Sequence, residues 1–209
     1  MKRMLKMMTT LLALGGLMAI GGCGSDEANP LPPAPTKETP ITDKVTVTGN
    51  TATTTATIEA KTDTGVKALE IPFGVDIQAT SGTMPTQPSI VVATPTNGGV
   101  GYVPKTSGTN LTLQGSAGAV SISIPLVNTF TVSGAGATVI IPVTNPAALT
   151  AAQVKVEIIK PDGTVLPSKM GTVSGDKKTV TVTGVNDFCF FLILPTWLTP
   201  TGSTGSTGQ

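Results

Sequence analysis

The chain has 209 residues and a formal net charge of +1, and it contains no histidine and a single arginine, Arg3. The missing imidazole excludes Ser-His-Asp and Cys-His catalysis, since histidine is the common general base near neutral pH. Few and scattered lysines argue against nucleic acid as a partner, because a phosphate backbone is bound by clustered positive charge.

The first 23 residues carry the pattern of an export signal. A basic start with Lys2, Arg3 and Lys6 precedes the apolar residues 11–20, and small residues lie just before Cys23. This order is typical of a secretory signal peptide. A transmembrane helix needs about 20 apolar residues, and this run is shorter.

The tetrapeptide Ile20-Gly21-Gly22-Cys23 resembles the lipobox of bacterial lipoproteins. The resemblance implies that a peptidase removes residues 1–22, that the Cys23 thiol carries diacylglycerol, and that the new α-amine is acylated. The partner at this site is then membrane lipid. Gly24 follows the cysteine, which resembles the outer-membrane sorting class if the source is Gram-negative. A plain secreted protein and an uncleaved membrane anchor are the alternatives.

Residues 23–43 are predicted to be the lipidated cysteine and a disordered, proline-rich tether. Its prolines disfavour regular ladders and favour extended polyproline II. At about 3.1 Å per residue, such a tether would hold a domain up to about 60 Å from the lipid. A disordered leader without a spacing role is the alternative.

Residues 44–198 are predicted to form an all-β, antiparallel β-sandwich region. Apolar and polar residues alternate with a period of two, as in half-buried strands, in residues 51–61, 120–126, 154–158 and 180–182. Abundant threonine suits pleated sheets with neutral, hydroxylated outer faces. The pattern is compatible with one large sandwich or with two small ones that meet near residues 128–136.

Two segments, 139–143 and 188–194, are more continuously apolar and are predicted to be central strands. Pro125 and Pro142 should lie at strand ends or edges, since proline donates no ladder hydrogen bond. Residues 146–152 could form one helical turn but are too short for an independent helix.

Turn-forming residues separate the predicted strands. Pro161-Asp162-Gly163 and Ser174-Gly175-Asp176 each predict a hairpin. With residues 137–142 and the closing apolar strand, the first hairpin gives the C-terminal half a weak resemblance to immunoglobulin-like and ZU5-like modules. Residues 199–209 repeat Gly, Ser and Thr and are predicted to be a flexible tail.

A second cysteine, Cys189, has no partner in the chain if Cys23 carries lipid. Its apolar neighbours favour a small buried thiol, with a reactive or intermolecular cysteine as the alternative. Trp197 and Tyr102 are the only Trp and Tyr. We expect Trp197 to cover one end of the sandwich, and an exposed binding anchor is the alternative.

Carboxylates are the remaining candidates for chemistry. Asp63, Glu70 and Asp76 could line a calcium site, but they lack the close ligand spacing of a calcium loop, and solvated charges are the default interpretation. Glu59 and Glu157 alternate with apolar residues, which predicts that they lie on outer faces. No metal, cofactor or catalytic residue is therefore predicted.

Two hypotheses about function follow from these patterns. The first is a lipid-anchored protein of the cell envelope that displays a non-catalytic structural or binding module, with an envelope protein or glycan as partner. The second is an atypical hydrolase or metal-dependent enzyme that works without histidine and uses Asp and Glu residues alone.

Overall fold

The computed structural model describes residues 35–94, 116–160, 164–188 and 190–195. These residues form β-strands whose pairings are antiparallel, together with short 3-10 helices at Thr42–Lys44 and Pro146–Ala148. The predicted all-β, antiparallel fold is confirmed. The strands in chain order are β1 (Thr36–Pro40), β2 (Val45–Thr48), β3 (Thr51–Thr54), β4 (Ile58–Lys61), β5 (Lys67–Ile71), β6 (Asp76–Gly82), β7 (Ser89–Ala93), β8 (Gly118–Ser123), β9 (Val127–Val132), β10 (Ala137–Pro142), β11 (Gln153–Ile159), β12 (Val165–Val173), β13 (Thr179–Val185), β14 (Asp187–Phe188) and β15 (Phe190–Ile193).

The strands form two sheets that share one apolar core. Sheet 1 has ten strands in the order β1-β7-β8-β15-β11-β12-β13-β10-β5-β4, and sheet 2 has five in the order β14-β9-β6-β3-β2. Edge strand β4 contacts both β1 and β7, so sheet 1 curls until its two edges approach each other. The described residues thus have a sandwich-like arrangement with a strongly curved larger sheet.

The alternating sequence pattern explains the burial of the core strands. Val120 and Ile122 in β8, Val154 and Val156 in β11, and Val182 in β13 are at most 2% exposed. Their chain neighbours point outwards and are half-buried or exposed. Because successive side chains of a strand point to opposite faces, the period of two identifies the buried face.

Prolines and turns lie where the sequence predicts them. Pro142 is the last residue of β10, and Pro125 lies in the turn between β8 and β9. Residues 174–178 connect β12 to β13 as a hairpin, which the Ser174 hydroxyl closes by accepting from the amide of Thr179 at 3.0 Å. Strands β11 and β12 also pair as a hairpin, but the predicted turn at residues 161–163 lies outside the described residues.

Two predicted continuous strands are each divided between the sheets, which corrects the sequence interpretation. Residues 51–61 form β3 in sheet 2 and β4 in sheet 1, with a break at residues 55–57. Residues 188–194 contain the end of β14 in sheet 2 and all of β15 in sheet 1. A period of two persists across such a break, because the inner faces of both sheets turn to the same core.

The region 128–136 is not a boundary between two sandwiches. It contains most of β9, which pairs with β6 from the first half and with β14 from the second. Strand β10 likewise pairs with β5 and with β13. Buried residues of both halves belong to one apolar cluster, so the described residues form a single structural unit.

The folded part begins earlier than predicted. Residues 36–40, which were expected to belong to the disordered tether, form edge strand β1 and pair with β7 from Thr36↔Ala93 to Pro40↔Ser89. The Glu38 carboxylate accepts from the Ser89 hydroxyl at 2.5 Å. Pro40 is tolerated because β1 is an edge strand, where a missing donor costs little.

Chain direction gives the fold two different ends. Wherever a described connection links the two sheets, it meets sheet 1 at the same end of the sheet-1 strands, which we call the sheet-2 end. These connections are residues 41–44, 55–57, 72–75, 83–88, 124–126, 133–136 and 186. The opposite end, which we call the exit end, contains Pro35, Thr94, Ser116 and Pro195, where the chain enters or leaves the described residues.

Candidate functional site

The predicted lipidation site, Cys23, lies outside the described residues, and Pro35 is the first residue whose surroundings are known. The carbonyl oxygen of Pro35 accepts from the amide of Thr94 at 3.1 Å, and β1 follows at once. Eleven residues, 24–34, thus lie between Cys23 and the described fold, and this stretch spans at most about 40 Å when fully extended. This limit is shorter than the sequence predicted, because β1 removes part of the tether.

Two of the predicted carboxylates come together on sheet 1. Glu59 in β4 and Glu70 in β5 are directly opposite each other in the strand register. The Lys67 ammonium lies 2.6 Å from Glu59 Oε1 and also donates to Glu70 Oε2. The sequence identified both glutamates as candidates but did not predict their shared contact with Lys67; we call these three residues the Lys67 cluster.

Lys67 changes the protonation equilibria of its partner and of itself. Its hydrogen bond, followed by its charge, lowers the pKa of the Glu59 carboxyl. Hydrogen bonds to Glu59 and Glu70 raise the pKa of the Lys67 amine. The side chains of all three residues are about one-third to one-half exposed. Solvent therefore screens the cluster, and its contribution to stability is small.

The residues proposed for a calcium site do not converge. Asp63 lies in the turn between β4 and β5 and accepts from the Thr94 hydroxyl at 3.3 Å. Asp76 begins β6 in sheet 2 and accepts from the Thr53 hydroxyl at 2.7 Å. Among the described residues, no group of three side chains from Asp, Glu, Cys and His is placed to hold a metal ion.

Glu157 is half-buried in β11, opposite Leu192 of β15. It alternates with Val156 and Ile158, whose side chains point into the core. Glu157 therefore points to the outer face, as its sequence pattern predicts, and it does not join Glu59 and Glu70 in one group.

A shallow cavity lies at the boundary between sheet 2 and sheet 1. Its volume is about 70 Å³, and it is lined by Thr80, Thr129, Phe130, Lys160, Asp187 and Phe188. The Thr80 hydroxyl bonds to the hydroxyl and, at 2.9 Å, to the carbonyl oxygen of Thr129. Sites for small molecules usually have volumes of about 300–1,000 Å³, so this cavity has room for only a very small group.

The sequence contained no signal for this cavity. Thr80 and Thr129 lie 49 positions apart in the chain, and only the pairing of β6 with β9 makes them neighbours. Each is also a common residue type for an outer strand position. Residues of this kind can be found only when the strand register is known.

Four large apolar side chains of the described residues are exposed. Phe73 is 68% exposed in the β5–β6 turn, and Leu126 is 75% exposed in the β8–β9 turn. Val66 and Met170 are also exposed, near the β4–β5 turn and in β12. The sequence pattern placed Leu126 with the core residues, but it occupies a turn with a positive φ of 68°. Single exposed apolar side chains are common and mark no interface by themselves.

Four other residues of interest, Cys189, Trp197, Tyr102 and Asp162, lie outside the described residues. Their predicted roles stay predictions. Within the part of the chain that the structure describes, no helix has both the length and the hydropathy needed to cross a bilayer.

Comparison with known proteins adds no family assignment. No protein-family model, no curated protein and no solved structure matches this chain. Inferences about function therefore depend on the N-terminal sequence pattern and on the geometry described above.

Proposed function

We propose that this protein is a lipid-anchored component of the bacterial cell envelope that displays a non-catalytic β-sandwich module. The observation that carries the proposal is the tetrapeptide Ile20-Gly21-Gly22-Cys23 after a basic start and a short apolar run. Two acyl chains give stable attachment to a bilayer, whereas a single chain gives only marginal binding. In a Gram-negative source, Gly24 favours the outer membrane.

The position of the folded part supports an anchor at the N-terminus. The first described strand begins 13 positions after Cys23, at an edge of sheet 1 rather than inside the core. An anchor attached there leaves the remainder of sheet 1 and all of sheet 2 available for contacts. The folded domain itself then needs no membrane-crossing element.

The outer faces of the sheets support binding of a neutral partner, such as an envelope protein or a glycan. Thr179, Thr181 and Thr183 occupy outward positions of β13, and Thr46 and Thr48 occupy outward positions of β2. Between Asp76 and Lys155 the sequence contains one charged residue, Lys105. Hydroxyl groups can both donate and accept hydrogen bonds, so such faces suit uncharged polar ligands.

The Lys67 cluster is the observation closest to the alternative of a hydrolase that uses carboxylates. A general acid near neutral pH needs a carboxyl whose pKa is raised. Lys67 instead lowers the pKa of Glu59, which favours the ionised form. The arrangement therefore supports an ion pair on the outer face more than an acid–base pair.

Lipidation is tested by expressing the full chain in a bacterium with an intact lipoprotein pathway. Mass spectrometry should find a mature chain that begins at Cys23 and carries diacylglycerol, and the protein should fractionate with membranes. The variant Cys23→Ser should lose the lipid and leave the membrane fraction. Cys189→Ser is the matched control and should behave as the unmodified chain. An unmodified Cys23 thiol in the native cell would refute the proposal.

Binding and catalysis are separated by a second experiment. Hydrolysis of envelope glycans and model esters is measured for the unmodified chain, for Glu59→Gln with Glu70→Gln, and for Asp76→Asn with Glu157→Gln. We expect no turnover above the no-protein blank in any of them. Turnover that disappears in either double variant would establish the hydrolase and overturn the non-catalytic proposal.

A further inference from the structure

Within the described residues, three of the four edge strands have features that oppose pairing with another chain. In sheet 1, edge strands β1 and β4 approach each other and carry charged residues or proline, namely Lys37, Glu38, Pro40, Glu59 and Lys61. In sheet 2, edge strand β14 has only two residues and includes Asp187. Charge, proline and short length are common means by which a sheet edge avoids a further strand.

The fourth edge strand, β2, has none of these features. It reads Val45-Thr46-Val47-Thr48, without charge or proline, and β3 is its one strand partner among the described residues. Thr46 and Thr48 are exposed, whereas Val45 and Val47 are half-buried and pack against the core. A strand added at this edge would therefore cover the two valines.

Hydrogen bonds of β3 show which of its residues bond to β2. The amide of Thr54 donates to the carbonyl oxygen of Val75, on the β6 side, at 2.9 Å. The next amide, that of Thr55, donates to the carbonyl oxygen of Lys44, on the β2 side, at 2.8 Å. Because bonded and non-bonded pairs alternate along an antiparallel ladder, the odd-numbered residues of β3 bond to β2 and the even-numbered ones bond to β6.

The register of β2 with β3 then gives the direction of each backbone group of β2. Thr46 is opposite Thr53 and bonds to β3, as does Thr48, which is also opposite an odd-numbered residue. Val45 and Val47 are opposite even-numbered residues, so their N–H and C=O groups point to the open edge. The free backbone groups and the half-buried side chains of this edge thus belong to the same two residues.

We propose that β2 pairs with β2 of a second copy of this chain, antiparallel and across a two-fold axis at Thr46. In this register Val45 is opposite Val47 of the second copy, and the reverse pair follows by symmetry. Each of these pairs exchanges two backbone hydrogen bonds. The valines of both copies lie on the inner face and the threonines on the outer face. This proposal goes beyond the lipid anchor and does not depend on acylation of Cys23.

The residues that flank β2 are compatible with this register. Asp43 and Lys44 precede β2 and would lie opposite Gly49 and Thr48 of the second copy, so no like charges are opposite each other. A shift of one residue would instead bring Val45 opposite Thr48, whose backbone groups already bond to β3. The strand is therefore complementary to itself in backbone bonding, side-chain pattern and charge, which favours a second copy over a foreign strand.

The contact is small, because β2 has four residues. A stable protein–protein interface usually has about 20–30 residues on each side. We therefore expect weak pairing that depends on protein concentration, and a covalent trap at the two-fold axis is the suitable measurement.

Thr46→Cys places a thiol at the two-fold axis, and Thr48→Cys is the matched control on the same strand and the same outer face. Non-hydrogen-bonded partners have Cα atoms about 4.5 Å apart, which a disulfide can bridge. The two copies of residue 48 would be about 13 Å apart along the strands, which is too far. Both variants are made in the full-length chain with Cys23→Ser and Cys189→Ser, so that the introduced thiol has no competitor.

Disulfide-linked dimer is measured on non-reducing gels after equilibration of each purified variant in a glutathione redox buffer. We expect several-fold more dimer from Thr46→Cys than from Thr48→Cys, with a yield that rises with protein concentration. Equal yields, a greater yield from Thr48→Cys, or no dimer from either variant would overturn the proposed pairing.

Val47→Pro, added to Thr46→Cys, tests whether the backbone of the open edge makes the contact. Proline there removes an N–H that points away from β3, so circular dichroism should show a folded chain. Cross-linking should fall to the level of Thr48→Cys, and undiminished cross-linking in a folded variant would overturn the proposal. If this variant is unfolded, the comparison of positions 46 and 48 decides alone. Capture of a different protein by Thr46→Cys in the native cell, without the dimer, would assign the edge to a foreign strand and also overturn self-pairing.

Discussion

Sheet 1 and sheet 2 cover the same core, yet different interactions hold them in place. In sheet 1, neighbouring strands contribute buried Val and Ile side chains, such as Val139, Val156 and Val180, which are completely buried. Sheet 2 has fewer and shorter strands, and it is joined to its surroundings by hydroxyl groups and by stacked aromatic rings.

The Thr54 hydroxyl shows how sheet 2 is attached. It is buried, accepts from the amide of Val75 at 2.9 Å, and donates to the carbonyl oxygens of Pro72 at 2.9 Å and Val75 at 3.1 Å. These bonds hold the end of β3 against the connection from β5 to β6. A buried hydroxyl without partners would be costly, so this connection has little freedom to move.

Three phenylalanines join the two sheets. Phe130 in β9 stacks on Phe188 in β14 with centroids 4.7 Å apart, and Phe188 meets Phe191 of β15 edge-on at 6.0 Å. The chain changes from sheet 2 to sheet 1 between Phe188 and Phe191. Sheet 2 also buries aliphatic side chains, such as Ile77 and Val132, and the ring contacts and the bonds of Thr54 add to them. Single substitutions can measure how much the aliphatic contacts of sheet 1 and the aromatic and polar contacts of sheet 2 each contribute to stability.

The largest effect is expected from Phe130→Ala, which removes the ring that stacks on Phe188 within sheet 2. Phe130 is 2% exposed, and truncation of a buried phenylalanine costs about 3–5 kcal/mol of the free energy of unfolding. Urea denaturation measures the change. The control is Phe73→Ala in an exposed turn, for which we expect at most about 0.5 kcal/mol. Similar losses in both variants would contradict the importance of the aromatic contact.

Crowding of sheet 1 is tested at Gly171 in β12. A Cβ atom there would lie 2.4 Å from Val180 Cγ1 and 3.2 Å from Val156 Cγ2. Gly171→Ala should therefore cost about 1–3 kcal/mol through overpacking. Gly175→Ala, in the adjoining hairpin with open space around it, should leave thermal stability unchanged or raise it slightly. Equal melting temperatures for the two variants would show that this face is not tightly packed.

The polar attachment of sheet 2 is tested by Thr54→Val, which keeps the side-chain shape and removes the hydroxyl. The amide of Val75 then loses its partner, and we expect a loss of about 1–2 kcal/mol. Chemical denaturation provides the measurement. The neighbouring Thr53 bonds only to exposed Asp76, so Thr53→Val should cost less. A larger loss at Thr53 would contradict the role assigned to Thr54.

The smallest effect is expected from Lys67→Met on the outer face of sheet 1. The lowered pKa of Glu59 means that its stabilisation is present above the unfolded-state pKa and disappears as pH falls through the folded-state pKa. The raised pKa of Lys67 means that stabilisation is present below its unfolded-state pKa and disappears as pH rises through the folded-state value.

The difference in urea midpoint between the unmodified chain and Lys67→Met should therefore be greatest near neutral pH. It should shrink at strongly acidic and at strongly alkaline pH. Lys37→Met in exposed edge strand β1 serves as the control and should show no comparable pH dependence. A difference that stays constant across the pH range would indicate packing rather than an ion pair.

Both side-chain clusters described above depend on strand register and could not be predicted from the sequence. Glu59 and Glu70 were both identified in the sequence, but their shared contact with Lys67 follows from the pairing of β4 with β5. The cavity near Thr80 and Thr129 depends on the pairing of β6 with β9. The predicted lipidation site differs, because the pattern that predicts it consists of consecutive residues and does not depend on strand pairing.

The sequence by itself determined the all-β class, the buried face of most strands and the turn at residues 174–178. These features depend on neighbouring residues, because side chains alternate along a strand and turns favour particular residue types. Only the tertiary structure decided that residues 51–61 and 188–194 divide between two sheets and that residues 36–40 form an edge strand. Both sheets bury the same side of an alternating pattern, so the pattern cannot distinguish one sheet from the other.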